Sequence, residues 1–89
     1  MPRNAFAAPF IVAAEPHDDH TLTLTFEGGE KRLFDLKPHL DTEVFGPLRD
    51  LDRFAQVKVV YGSLEWPGER DLGHDMLYAE SVPLAVVAE

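Results

Sequence analysis

The sequence predicts a small α+β fold, with an antiparallel sheet of about five strands in hairpins and about two or three short helices packed on one face. Three observations predict it. Thr21-Leu22-Thr23-Leu24-Thr25-Phe26 alternates polar and apolar residues with the period of a half-buried strand. Glu27-Gly28-Gly29-Glu30 separates this run from another alternating one, as a hairpin loop does, because glycine takes positive φ cheaply. From His39 to Phe54 the apolar residues Leu40, Val44, Phe45, Leu48, Leu51 and Phe54 follow the spacing of helical turns.

Taken in order, residues 1–8 have no periodicity and read as an N-terminal arm, followed by one domain over residues 9–80. Phe10 to Ala14 is a first strand, ended by Glu15-Pro16 and the polar turn His17-Asp18-Asp19. The second strand places Leu22, Leu24 and Phe26 on one buried face. Lys31 to Leu36 runs back antiparallel, with Phe34 and Leu36 continuing that face, and Lys37-Pro38 stops it. Gly46-Pro47 divides the helical stretch into turns at Asp41 to Phe45 and Pro47 to Phe54, the second with proline at its first position.

Val57 to Tyr61 and Ser63 to Trp66 are the fourth and fifth strands, reversed at Gly62. Pro67-Gly68 fits the central positions of a type II turn. Asp71 is placed to cap a last helical segment, His74 to Ser81, whose Met76 and Leu77 pack beside Leu72. Residues 81–89 form an apolar tail that pairs with a sheet edge in this chain or in a second copy, so monomer and homodimer both stand.

At 89 residues the chain is one domain, since two halves would each bury too little. With no cysteine, disulfides, thiolate metal sites and cysteine nucleophiles are excluded, and a cytoplasmic address is expected. The apolar stretch Ala5 to Ala14 is broken by Pro9 and lacks a cleavage pattern, and no run approaches the ~20 apolar residues a membrane helix needs. Sixteen acids against eight bases give a net charge of −8. That sign repels phosphate backbones, so direct nucleic-acid binding is not expected, and it suits a basic protein partner.

Each cluster that invites chemistry has a plainer reading. His17-Asp18-Asp19-His20 offers nitrogen and oxygen ligands, but neighbouring residues point apart and a polar turn explains them, so no metal is expected. Glu65, Glu69, Asp71 and Asp75 gather in sequence around Trp66, as a hydrolytic or sugar-binding cleft would, yet Asp71 and Asp75 suit helix-end roles. Ser63 lies outside any nucleophile elbow, and Gly28-Gly29 lacks the spacing of a phosphate loop. No catalytic residue and no cofactor is therefore expected. The aromatics carry the remaining candidates: Trp66 and Tyr78 read first as core-edge residues, and the functional alternative is that Tyr61, Trp66 and Tyr78, with Asp71, border a concave patch that holds a partner segment.

Leu22, Leu24, Phe26, Gly28 or Gly29, Phe34-Asp35-Leu36, Phe45-x-x-Leu48-x-Asp50, Phe54, Trp66-Pro67-Gly68, Asp71-Leu72 and Leu77-Tyr78 stand in an order that resembles a family of small prokaryotic proteins, the domain-of-unknown-function family 2442. The resemblance covers roughly residues 10 to 80. It implies an α+β fold and brings no established activity. Some relatives resemble fusions to a C-terminal helix-turn-helix, for which the stretch after Tyr78 is too short here; others resemble antitoxin-like partners in gene pairs. Two function classes follow: an acidic accessory or interaction module, antitoxin-like, that binds a basic protein; or a small ligand-binding protein or hydrolase using the acids around Trp66.

Overall fold

The computed structural model describes residues 8–84. The N-terminal arm up to residue 7 and the tail beyond residue 84 lie outside the described residues. Among the described residues there are seven strands: β1 (Ile11–Pro16), β2 (Thr21–Phe26), β3 (Lys31–Asp35), β4 (Lys58–Val60), β5 (Ser63–Trp66), β6 (Arg70–Leu72) and β7 (Val82–Pro83). They form two antiparallel sheets, in the orders β1-β2-β3-β7 and β4-β5-β6. The expected single sheet of five strands is corrected accordingly. Single-turn 3-10 helices at Lys37–His39 and Gly46–Arg49, then the α-helix α1 (Leu51–Phe54), fill the chain between β3 and β4, and α2 (His74–Glu80) precedes β7.

The first sheet follows the alternation of β2. Leu22, Leu24 and Phe26 are fully buried, opposite Phe34 on β3 and Ile11 on β1. Val12 is the extra residue of a bulge between Ile11 and Ala13, which leaves its side chain exposed. Asp19 holds the β1–β2 turn by accepting from the main-chain N–H and the hydroxyl of Thr21, at 3.1 and 2.6 Å. Those bonds stabilise the charged form and keep its carboxyl below the usual carboxylate range.

The second sheet is a meander of short hairpins. Leu64, Trp66 and Leu72 face inward and share one core with Phe26, Phe34, Phe45, Phe54 and Leu77. A main-chain bond from Ile11 N–H to the carbonyl of Gly62, 2.8 Å, ties the start of β1 to the β4–β5 turn and joins the sheets. The irregular stretch covers the indole: Phe54 stacks on Trp66 with ring centroids 6.3 Å apart, and Phe45 meets it edge-on at 6.0 Å.

Three expectations change in this half. Pro38 does not merely stop a strand but opens a 3-10 turn, where its missing N–H is no loss. Asp41 to Phe45 is a run of turns, not a helix. Asp71 is not a helix cap: it lies in β6 opposite Glu65, and Gly73 occupies the N-cap of α2. A three-residue strand is too short to show an alternation in sequence, which is why an acid before a helical run reads as a cap. The tail's first residues do pair within this chain, Val82 and Pro83 with Leu33 and Arg32.

Candidate functional site

The four candidate residues are not gathered in one place. Trp66 is 1% exposed, and its indole N–H donates to the carbonyl of Phe54 at 2.9 Å, so it is a core residue and not a rim. Two of the acids that flank it in sequence, Glu65 and Asp71, do not face it. In an antiparallel pair the opposed residues share a face, so Lys58, Glu65 and Asp71 form one solvent-exposed row, while Leu64, Leu72 and Trp66 lie on the opposite side of the same sheet. Glu65 and Asp71 therefore cannot converge on the indole.

Tyr78 belongs to a clasp on the edge of the first sheet. Its ring meets Phe26 edge-on at 5.1 Å, and its hydroxyl donates to Glu30 Oε1 at 2.9 Å. The Arg32 guanidinium lies over the same ring, 4.2 Å from its centroid. Arg32 also donates to the hydroxyl and the carbonyl of Ser81, both at 2.8 Å, and to Glu30 Oε2 at 2.8 Å. Arg32 stands on the inner face of β3 opposite Leu24, and these bonds are what let a charge sit there. The hydrogen bonds from Arg32 and Tyr78 hold the Glu30 carboxyl below its ordinary value, and the bond to Glu30 raises the Tyr78 phenol. The clasp fixes the C-terminus of α2 to β3.

Tyr61 has the opposite character. It and Gly62 are the two central residues of the β4–β5 hairpin, at φ of 50° and 79°, the pattern of a two-residue turn that follows the sheet twist. Such a site favours asparagine, aspartate or glycine, and a bulky residue there costs about 1–2 kcal/mol. The Tyr61 side chain recovers none of that by burial, since the residue is 97% exposed.

Around it the structure assembles neighbours the sequence did not single out. Phe10, 48% exposed, lies against Gly62, and its ring meets His74 edge-on at 4.7 Å. Val12 is 57% exposed on the adjoining bulge. Two acids border this surface: Glu27, which accepts from the Phe10 N–H at 3.4 Å, and Asp75, whose carboxylate lies 3.3 Å from His74 Nδ1. The signal that could have found the group was Phe10 itself, an aromatic just ahead of β1 with no place in its alternation.

In the His17–His20 segment, His17, Asp19 and His20 make bonds within the fold. His17 Nε2 bonds the Thr23 hydroxyl at 2.7 Å, and His20 Nε2 donates to the carbonyls of Leu48 and Arg49 at 3.0 and 3.1 Å. No helix among the described residues is long and apolar enough to cross a membrane.

No curated protein and no solved structure matches the chain. One family does, over residues 11–83, a span that takes in both sheets and both helices. The chain thus belongs to the family described as "Protein of unknown function (DUF2442)".

Proposed function

We propose that the chain is a non-enzymatic interaction module, which binds a protein partner rich in lysine and arginine through the surface formed by Tyr61, Phe10 and Val12. The observation that carries this reading is Tyr61: a large aromatic held in a left-handed backbone conformation with its side chain in water. Backbone strain without compensating burial points to use of the side chain outside the fold. Tyrosine is a frequent anchor of interfaces, since a rigid ring buries much area at little entropic cost.

The charge supplies the sign of the partner. A net −8, with Glu27 and Asp75 beside the aromatic group, attracts a cationic surface and repels nucleic acid. An accessory, antitoxin-like role in a prokaryotic cytoplasm falls within this reading, with the chain acting as a monomer or a homodimer. The alternative of a small ligand-binding protein or hydrolase built on the acids around Trp66 is less favoured, because two of them, Glu65 and Asp71, lie on the face of the sheet opposite the indole.

The test is affinity capture from source cells, with wild-type and Tyr61→Ala proteins compared at low and high salt. A stoichiometric basic protein, retained by the wild type at low salt and reduced at least tenfold by the variant, is the expected result. Equal capture by the two proteins would contradict the reading.

A further inference from the structure

At the other end of the three-stranded sheet, where β5 turns into β6, the surface holds a cleft of about 260 Å³. Pro47, Leu48 and Pro67 line it with apolar surface, and Arg53, Gln56 and Arg70 supply its polar groups. No acid lines it, although acids outnumber bases two to one in the chain.

Arg70 is fixed in place before any ligand arrives. Its Nε–H donates to the carbonyl of Val44 and its Nη1 to the carbonyl of Pro67, the latter at 2.8 Å. Gly68, at φ 92°, makes this possible: a side-chain carbon there would stand 2.0 Å from Nη1. Among the described residues neither bond uses Nη2, so its N–H groups remain available to a ligand. Arg53 is looser, 64% exposed in its side chain and 3.8 Å from the Asp50 carboxylate, so it can swing toward a bound anion.

The geometry points to a second binding site, independent of the Tyr61 surface: a cleft that takes a carboxylate attached to a compact apolar body, from a small organic acid or from the C-terminus of a peptide. The Arg70 Nη2 and the exposed Arg53 guanidinium can each donate a charge-assisted hydrogen bond to one carboxylate. Proline and leucine walls favour an apolar body, and the volume lies just under the range of about 300–1,000 Å³ usual for whole small-molecule sites, which limits the occupant to a small acid or a terminal residue. The surrounding negative charge disfavours a dianion, so a carboxylate is preferred to phosphate.

The test is a titration followed by backbone amide NMR, using benzoate, benzamide, inorganic phosphate and an acetylated tripeptide ending in leucine, as free acid and as amide. Benzoate or the free-acid peptide is expected to shift the amides of Gln56, Gly68 and Arg70 with a dissociation constant of about 1 mM or tighter. A tenfold preference between these two identifies the source of the carboxylate, and either preference supports the site. Arg53→Gln, on an exposed side chain, should weaken binding about threefold and flatten its salt dependence. Arg70→Gln should weaken it at least tenfold, and Tyr61→Ala should leave it unchanged. Equal binding of benzamide, tighter binding of phosphate, or no shift in the cleft with benzoate or the free-acid peptide at about 20 mM would overturn the proposal.

Discussion

A side-chain carbon at position 62 would stand 2.6 Å from Cγ of Phe10, so the phenyl ring occupies the space that Gly62 leaves empty. The contact reinforces the bond between Ile11 and Gly62 that joins the two sheets. Gly62→Ala meets both a steric clash and the cost of φ 79°. It should lose about 3 kcal/mol by urea unfolding, and only about 1 kcal/mol when Phe10→Gly is already present, since the Phe10 Cβ itself would stand 2.7 Å from the added carbon. Equal losses in the two backgrounds would show that Phe10 does not rest on Gly62.

Tyr61 and Trp66 should respond in opposite senses. Tyr61→Asn replaces a bulky residue in the left-handed region by one that tolerates it, and should raise stability by about 0.5–1 kcal/mol, read as a melting temperature several degrees higher. Trp66→Phe leaves the Phe54 carbonyl without its donor and the core with a gap, and should cost about 2 kcal/mol or more. A destabilised Tyr61→Asn would mean that the tyrosine serves the fold.

Asp71 separates a strand residue from a helix cap. A cap replaced by alanine typically costs about 1 kcal/mol, whereas an exposed strand acid beside Glu65 costs little or relieves repulsion. Asp71→Ala should stay within about 0.5 kcal/mol of wild type in thermal unfolding.

The clasp at Tyr78 gives a pH dependence with a definite sign at each end. The folded protein holds Glu30 below its ordinary value of 4.5, so its contribution is complete above pH 4.5 and is lost as pH falls through the lower folded value. Tyr78 is raised above its ordinary 10.0, so its contribution is complete below pH 10.0 and is lost as pH rises through the higher folded value. Glu30→Gln should therefore flatten the melting-temperature profile on the acid side. An unaltered acid limb in that variant would remove Glu30 from the account.

The hairpins from β1 to β3 were legible because one face is buried and the other wet, which prints the strand period directly onto Leu22, Leu24 and Phe26. The split into two sheets was not. β6 and β7 are too short to carry a period, and the edges they pair with are chosen by tertiary contacts, such as the bonds from Arg32 to Ser81. Neighbourhood in sequence also misplaced the acids, because adjacent strand residues such as Glu65 and Trp66 point to opposite faces. Of the aromatic candidates, Trp66 and Tyr78 read as core-edge rings and do pack in or against the core, whereas Tyr61, read as the end of the fourth strand, lies in the β4–β5 turn. The cleft at Arg70 had no sequence signature, since Pro47, Arg53 and Gly68 meet only in the fold.

The most direct test of the interaction-module account is site-specific photo-crosslinking in source cells. A photoreactive phenylalanine derivative would be placed at Tyr61 and, as a control, at the exposed Thr42. The account predicts that position 61 captures one basic protein in high yield and that position 42 does not. Equal capture at the two positions, or none from position 61 in cells that make the protein, would contradict it.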